Sequence, residues 1–429
     1  MPVQEESAVA ASIFVDLGPL RRFPDFRRLW VGFGLRQFGT WLTVTTVVYQ
    51  VFILTRSNVA VGLISVAQVV PGVITPVFGG AIVDAVDRRR LLVVTALLLS
   101  VSSVALALNA LGGHPALWPL YVCSGATWAL TGIDTPTRTA VLITLVDRDS
   151  YIAANVLRQA LSQLGQVAGP AIAGVLIATF SHDIAAVYWI DVAVTLAATR
   201  SVLRLPALGA AGGRFSLSSI AEGFAFLKRR QVIQACFLAD INATLLGLPT
   251  SLFPYMAFVH FHGGARTFGL LTASPGIGAL LGATVSGWTQ RVRYQGRAVL
   301  IAVVVWGLAI AAFGFVPWLA AGVALLAIAG WGNAVSAVMR NTILQAETPN
   351  RLRGRLTSLQ SISVQIGRLG NAEAGFVAAL SNAQLSIVSG GLGCILGVLA
   401  IARFMPAYAR YRLDARPSAP DEMEEGATG

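Results

Sequence analysis

The chain has 429 residues, of which 55% are hydrophobic and only 12% charged, and its mean hydropathy is +0.70. A soluble domain carries about 25% charged residues. Half that share leaves too few to solvate a globular surface, so the net charge of +11 is not the footprint of a soluble nucleic-acid-binding domain.

Residues 1–28 form a polar segment without a signal-peptide layout that turns basic at Arg21, Arg22, Arg27 and Arg28. Apolar runs of around twenty residues follow, each long enough to cross roughly 30 Å of hydrocarbon. The first six, at 29–54, 60–82, 91–111, 117–137, 152–180 and 184–203, make an N-terminal half, 29–203. The connector 204–230 opens with the breakers Pro206, Gly209, Gly212 and Gly213. It continues with a capping-box pattern at Ser219–Glu222 and with Leu217, Ile220, Phe224 and Leu227 at helical spacing. This predicts a short amphipathic helix lying on the cytoplasmic surface. Six further runs, 231–259, 267–288, 298–315, 317–343, 356–381 and 385–405, make a C-terminal half, 231–405. The tail 406–429 turns acidic beyond Pro417 and is expected to be disordered. The fold class expected is an all-α membrane protein of twelve transmembrane helices in two pseudo-symmetric halves.

Arginine placement orients the chain. Arg88, Arg89 and Arg90 follow the second run, Arg138 and Arg148 the fourth, and Arg291, Arg293 and Arg297 the eighth. Arg340, Arg351, Arg353 and Arg355 follow the tenth, whereas the alternate loops hold only Arg56 and Arg266. The asymmetry puts both termini and the connector in the cytoplasm, in a plasma (inner) membrane. The basic patches then anchor topology and headgroups, and no nucleic-acid partner is expected. Cys123, Cys236 and Cys394 fall inside runs and read as small apolar residues. His260-Phe-His262 lies at an outward loop without nearby carboxylates. It reads as an interfacial pair, and no metal site is expected. There is no phosphate-binding loop pattern, so ATP is not expected to drive the protein.

The halves repeat each other. A shift of about 207 residues lays Gly62-Leu63 on Gly269-Leu270, Gly80 on Gly287 and Arg90 on Arg297 without a gap. Gly169-Pro-Ala-Ile-Ala-Gly174 matches Gly370-Asn-Ala-Glu-Ala-Gly375. Small residues at such spacing let helices approach closely, and parallel repeats place a substrate site near mid-membrane between them.

Ionisable groups inside the runs are costly, about 2.5–3.5 kcal/mol each at a helix centre, and need a partner, a cavity or a role. They are Arg36, Asp191, Asp240, Arg368 and Glu373, with Asp134, Arg138, Asn155 and Arg158 nearer the cytoplasmic end. Arg36 and Asp240 sit about 12–15 Å into equivalent helices. One reading makes them a charged pair or a substrate and proton site, with Gln37 and Asn242 beside them as hydrogen-bonding groups. The other makes them a structural ion pair that closes the bundle. Ser361, Gln365 and Arg368 share a helical face, and Glu373 lies off it. Arg368 and Glu373 either meet cargo or pair with another helix.

Gly80-x-x-x-Asp84 followed by Arg88, Arg89 and Arg90 resembles the signature loop of the major facilitator superfamily, with Ala85 where a basic residue is common. Arg36-Gln-Phe-Gly-Thr, Ser57-Asn-Val-Ala-Val-Gly-Leu, Pro136-Thr-Arg138, Ala154-Asn155, Glu222-Gly-Phe-Ala-Phe-Leu and Arg353-Gly-Arg355 resemble the enterobactin-exporter-like branch of drug and siderophore efflux proteins, over essentially all of 25–405. Gly165-x-x-x-Gly169-Pro170 and Gly174 are similar to the span-five motif of antiporters, with Ala173 in place of one glycine. The resemblance implies a cavity lined by spans one and seven, and a gating loop at Gly80–Arg90 whose Asp84 faces the start of span eleven, near Arg355–Thr357. It implies multidrug, siderophore or secondary-metabolite efflux by a monomeric secondary transporter. The cargo is a small amphipathic molecule exchanged for protons by alternating access. There is no enzymatic step and no cofactor beyond the proton gradient. Uptake of a nutrient or lipid by symport or uniport is the first rival, and a non-transporting receptor or structural protein the second.

Overall fold

A computed structural model describes residues 16–180, 183–206, 209, 225–228, 230–284, 292–349 and 352–412, with the side chains at 76–85, 283–284, 353–355, 357–358 and 361 outside the description. The described residues are helical, with no strand among them. A short α1 (Gly18–Arg22) leads into α2 (Pro24–Thr55), α3 (Asn58–Ala85), α4 (Arg88–Leu111), α5 (Trp118–Leu145), α6 (Tyr151–Thr179) and α7 (Ile184–Leu203). The second half holds α8 (Gln231–Leu246), the single turn α9 (Phe253–Tyr255), α10 (Gly264–Thr284), α11 (Gln295–Phe313) and α12 (Leu319–Glu347). It ends with α13 (Arg353–Gly367), α14 (Gly370–Leu380), α15 (Ala383–Phe404) and α16 (Pro406–Ala409).

The boundaries follow local chemistry. Pro24 and Pro119 start α2 and α5, where a missing N–H costs nothing. Asp87 caps α4 by accepting from the Arg90 N–H at 2.9 Å, and Asn382 caps α15 through the Leu385 N–H at 2.8 Å. Nine helices among the described residues are long and apolar enough to cross a membrane. The other three of the twelve expected spans coincide with α5, α10 and the α13–α14 pair. The last is split into 15 and 11 residues, each too short to cross alone.

Two boundaries differ from the expectation. The segment assigned to a disordered tail begins with α16, whose Tyr408 is fully buried against the second half; residues 413–429 lie outside the described residues. The tenth run, ended at 343, continues to Glu347 in α12, so Arg340, counted with the loop that follows it, lies inside the helix. In the connector only residues 225–228 form a described helical turn, and the capping pattern at Ser219–Glu222 lies outside the described residues.

The chain's described ends share one end of the bundle, called proximal here; the opposite end is distal. The halves close on each other distally through glycines. A Cβ on Gly174 of α6 would lie 2.7 Å from the Gly269 Cα of α10, and one on Gly269 would lie 2.6 Å from the Gly174 Cα. Across the other seam, a Cβ on Gly62 of α3 would lie 2.6 Å from the Asn371 carbonyl, and one on Gly375 would lie 2.6 Å from the Asn58 carbonyl. Only residues without side chains permit backbones this close. The four glycines are the ones the repeat aligns, so one contact is used twice about the pseudo-twofold axis. Tyr49 and Phe52 of α2 add ring contacts to Phe258, at 5.7 and 6.0 Å, from a π-helical turn at Met256–His260.

Candidate functional site

Between the halves, from mid-depth toward the distal end, lies a cavity of ≈ 250 Å³. Trp41 and Thr45 come from α2, Ser65 and Gln68 from α3, and Trp306, Asn333, Arg368 and Asn371 from the second half. Two interrupted helices border it. The chain breaks after α8 at Gly247-Leu248-Pro249 and again between α13 and α14 at Arg368-Leu369. Asn371 stitches the two breaks together. Its side-chain oxygen accepts from Thr250 Oγ1 at 2.8 Å and from the Ser251 N–H at 3.0 Å, while its carbonyl accepts from Ser251 Oγ at 2.8 Å. Backbone groups freed at a break inside a membrane must find partners, and here the asparagine side chain takes the Ser251 N–H while the Ser251 hydroxyl takes the asparagine carbonyl.

Arg368 sits at the second break and reaches across the seam. Its guanidinium carbon stands 3.5 Å from the centre of the Trp128 ring on α5, and Nη1 donates to Gln68 Oε1 on α3 at 3.5 Å. It is a C-terminal-half cation held by two N-terminal-half side chains at the edge of the cavity. A guanidinium stacks flat on an indole in a way an ammonium cannot.

The buried ion pairs form within each half, not across. Arg36 Nη2 on α2 meets Asp134 Oδ2 on α5 at 2.9 Å, and Arg138 Nε meets the same oxygen at 2.7 Å. In the other half Asp240 Oδ1 on α8 accepts from Arg340 Nη2 on α12 at 2.6 Å, and its second oxygen accepts from Ser363 Oγ at 3.2 Å. The expectation that Arg36 and Asp240 pair is therefore corrected. They do occupy equivalent positions, but each has its own partner on the equivalent neighbouring helix. The N-terminal cluster carries one positive charge in excess. Arg36 Nε, Arg36 Nη1 and Arg138 Nη1 are buried there without a hydrogen-bond partner.

The remaining candidates divide. Gln37 donates to Ser162 Oγ of α6 at 3.2 Å, and Gln365 lies against Gly72 across the seam. Asn242 faces away from the cavity, donating to the Cys394 carbonyl of α15 at 2.8 Å. Glu373 is exposed on the outside of α14 and does not reach the cavity. Both are corrections: a 3.6-residue period turns each side chain off the face of its neighbour. Gly165 and Gly169 press α6 onto Gln37 and Trp41 of α2, beside Pro170, and Gly174 carries the distal contact. Of the gating loop, Arg89 donates to the Leu203 carbonyl of α7, and Arg88 and Arg90 begin α4. The surroundings of Gly80 and the side chains of Asp84, Arg355 and Thr357 lie outside the described residues. His260 is engaged by the Val316 carbonyl at 2.8 Å and by Gln384 at 3.0 Å. Asp191 receives hydroxyls from three helices, Thr43 at 2.7 Å, Ser103 at 2.5 Å and Thr195 at 3.3 Å.

Sequence reasoning missed Gln68, Trp128, Asn371 and the Asp134 and Arg340 partners. Only the last two left a signal. Antiparallel neighbours place Asp134, counted back from the end of α5, at the depth of Arg36, counted from the start of α2.

A cavity at a pseudo-twofold seam, bordered by broken helices and flanked by paired buried charges, is the layout of a transporter. The profile of the transmembrane secretion effector family matches residues 15–425. This chain belongs to that family. It is a secretion transporter of the major facilitator superfamily, not an enzyme. It is 27% identical over 413 residues to the enterobactin exporter EntS of Citrobacter koseri, covering 96% of this chain and 98% of that one. To EntS of Escherichia coli O127:H6 it is 28% identical over 392 residues, covering 90% and 94%. Among solved structures it superposes on the nucleoside transporter NupG with a TM-score of 0.73 at 14% identity, covering 88% of this chain and 99% of that one. A bacterial homologue of the lysosomal transporter Spinster, solved inward-facing and unoccupied, gives 0.68 at 14% identity, with 92% and 97% covered. At such identities the likeness is one of fold.

Proposed function

We propose that this family member exports a small amphipathic organic molecule, of siderophore, drug or secondary-metabolite type, in exchange for protons. The observation that carries the reading is Arg368 stacked on Trp128 at the rim of the ≈ 250 Å³ seam cavity. A cation at the rim of a cavity also lined by Trp41, Trp306 and Phe268 suits a cargo with an aromatic or acidic part, and EntS relatives are named as enterobactin exporters. In this reading both termini are cytoplasmic, as arginine placement implies, the closed distal end faces outward, and the protein works as a twelve-span monomer of the inner membrane. The Asp240–Arg340 pair, which ties α8 to α12, is the charged element of the exchange in this reading. The loop at Gly80–Arg90 acts as the proximal gate. Everted vesicles carrying the protein test this. Enterobactin added outside accumulates when a pH gradient is imposed, and accumulation is lost when nigericin collapses it. Equal accumulation with and without the gradient removes proton antiport. Accumulation in right-side-out vesicles alone favours uptake.

A further inference from the structure

The two halves differ at one equivalent place. On α2 and α6 the helices are zipped: a Cβ on Gly34 would lie 2.8 Å from Leu161 Cδ2, Gln37 bonds Ser162 at 3.2 Å, and a Cβ on Gly165 would lie 3.1 Å from Gln37 Cβ. The half-to-half repeat maps these onto Leu238, Ile241, Ile362, Ser363 and Ile366 of α8 and α13. Leu238 stands where Gly34 does, and Ile366 where Gly165 does. Two bulky side chains in place of two glycines hold the helices apart, and a groove of ≈ 320 Å³ opens between them. That is the size of a small-ligand pocket.

The groove is walled by Phe237, Leu238, Ile241, Leu359, Ile362 and Ile366, with Leu227 at its proximal mouth. Its polar members are Ser363, buried at its floor, and Gln234 and the exposed Lys228 at the mouth. Arg230, exposed and stacked on Phe226 at 6.0 Å, stands beside them in the chain. No lining residue is shared with the central cavity. Leu238 and Ile366 are themselves exposed at its edge, and beyond the helix break Glu373, Phe376 and Leu380 of α14 are exposed as well. The groove therefore opens sideways, toward lipid.

We propose that this groove binds an anionic phospholipid of the leaflet on the proximal side. An acyl chain lies between α8 and α13, and the phosphate meets Lys228, the single lysine of the chain. A lysine stem covers apolar surface while its compact ammonium reaches the headgroup layer. A zwitterionic lipid fills the same apolar walls but brings no net charge to the mouth. The site touches the transport machinery through one hydroxyl: Ser363 lines the groove and donates to Asp240, whose other oxygen holds Arg340. Lipid occupancy thus bears on the position of α13 relative to the ion pair.

The test uses the full-length protein in detergent, supplied with dioleoylphosphatidylglycerol or dioleoylphosphatidylcholine, and counts retained lipid by native mass spectrometry. Phosphatidylglycerol is expected to be retained about fivefold over phosphatidylcholine, the factor that ~1 kcal/mol per basic residue at an anionic surface corresponds to. Lys228→Glu removes the preference, Lys228→Arg keeps it, and Leu238→Trp, which fills the groove, lowers retention of both lipids. Both Lys228 variants are at an exposed position and fold, so the result does not hang on Leu238→Trp. Equal retention of the two lipids overturns the proposal, as does a preference that survives Lys228→Glu, or displacement of lipid by enterobactin, which would assign the groove to cargo. Retention is read without transport, so its failure leaves the export reading standing.

Discussion

Asp240 on α8 takes a 2.6 Å hydrogen bond from Arg340 on α12, and the two matching positions in the other half carry the same pair with the charges exchanged, Arg36 on α2 and Asp134 on α5. The repeat has kept the contact and swapped its polarity. Each pair ties the first helix of its half to the fourth, so each half carries its own internal lock.

The first expected outcome concerns these partners. Asp240→Asn or Arg340→Ala alone leaves a buried group unmatched, at a cost of about 3–5 kcal/mol when a buried pair is broken. Either should lower both thermal stability and export. The double exchange Asp240→Arg with Arg340→Asp should recover most of the stability, because it recreates the polarity already used by Arg36 and Asp134. Exchanging Arg36 with Asp240 should recover nothing. Melting temperatures of the purified variants check this, and recovery by the second exchange in place of the first would overturn the pairing.

The glycine seams give the second. Ala at Gly174 or Gly269 forces a methyl against a facing backbone, and overpacking costs about 1–3 kcal/mol. That shifts a two-state equilibrium about five- to 150-fold away from the distally closed state. Spin labels placed across the distal end should show longer distances in Gly174→Ala and in Gly62→Ala alike. Unchanged distance distributions would mean that the seam does not govern closure.

Arg368 gives the third. Arg368→Lys keeps the charge but loses the flat contact with Trp128. A weakening of the apparent cargo affinity by about two- to tenfold is expected, the range spanned by ~0.5–1.4 kcal/mol of cation–π contact. Membrane levels of the protein should be unchanged. Concentration-dependent enterobactin accumulation in everted vesicles provides the measurement. An unaltered half-saturation concentration would leave Arg368 a structural strut.

Orientation is the fourth. Gly113, with open space around it, and Ser381 both lie exposed at the distal end, and the three native cysteines are buried. In a Cys-free background, cysteines at these two positions should react with an impermeant maleimide added to intact cells. Reaction only after lysis would invert the topology.

The sequence made the fold largely legible, because apolar runs, arginine alternation and a half-to-half repeat are long-range patterns that survive without side-chain detail. The glycine contacts were half visible. Gly62 with Gly269, and Gly174 with Gly375, aligned as repeats, but which glycine faces which backbone depends on the crossing of helices from different halves. The charges were misassigned for the same reason. Depth along a helix can be counted, as for Arg36 and Asp240, whereas the neighbour a side chain turns toward is set by packing. Arg368 and Trp128 meet through a helix break at Arg368-Leu369 that no proline announces. Asn371 acts only because that break and the one at Gly247–Pro249 lie side by side.

The split between α13 and α14 bears on how the protein is made. Fifteen residues ending at Gly367 and eleven beginning at Gly370 are each short of the roughly twenty that hydrocarbon requires. Threaded singly into a bilayer, neither would stay. They hold their place because α15, a mostly apolar helix of 22 residues, follows closely, because Asn371 is bonded to Thr250 and Ser251, and because Gly375 seats on α3. The segment that presents Arg368 to the cavity thus owes its place in the membrane to the neighbours it packs against.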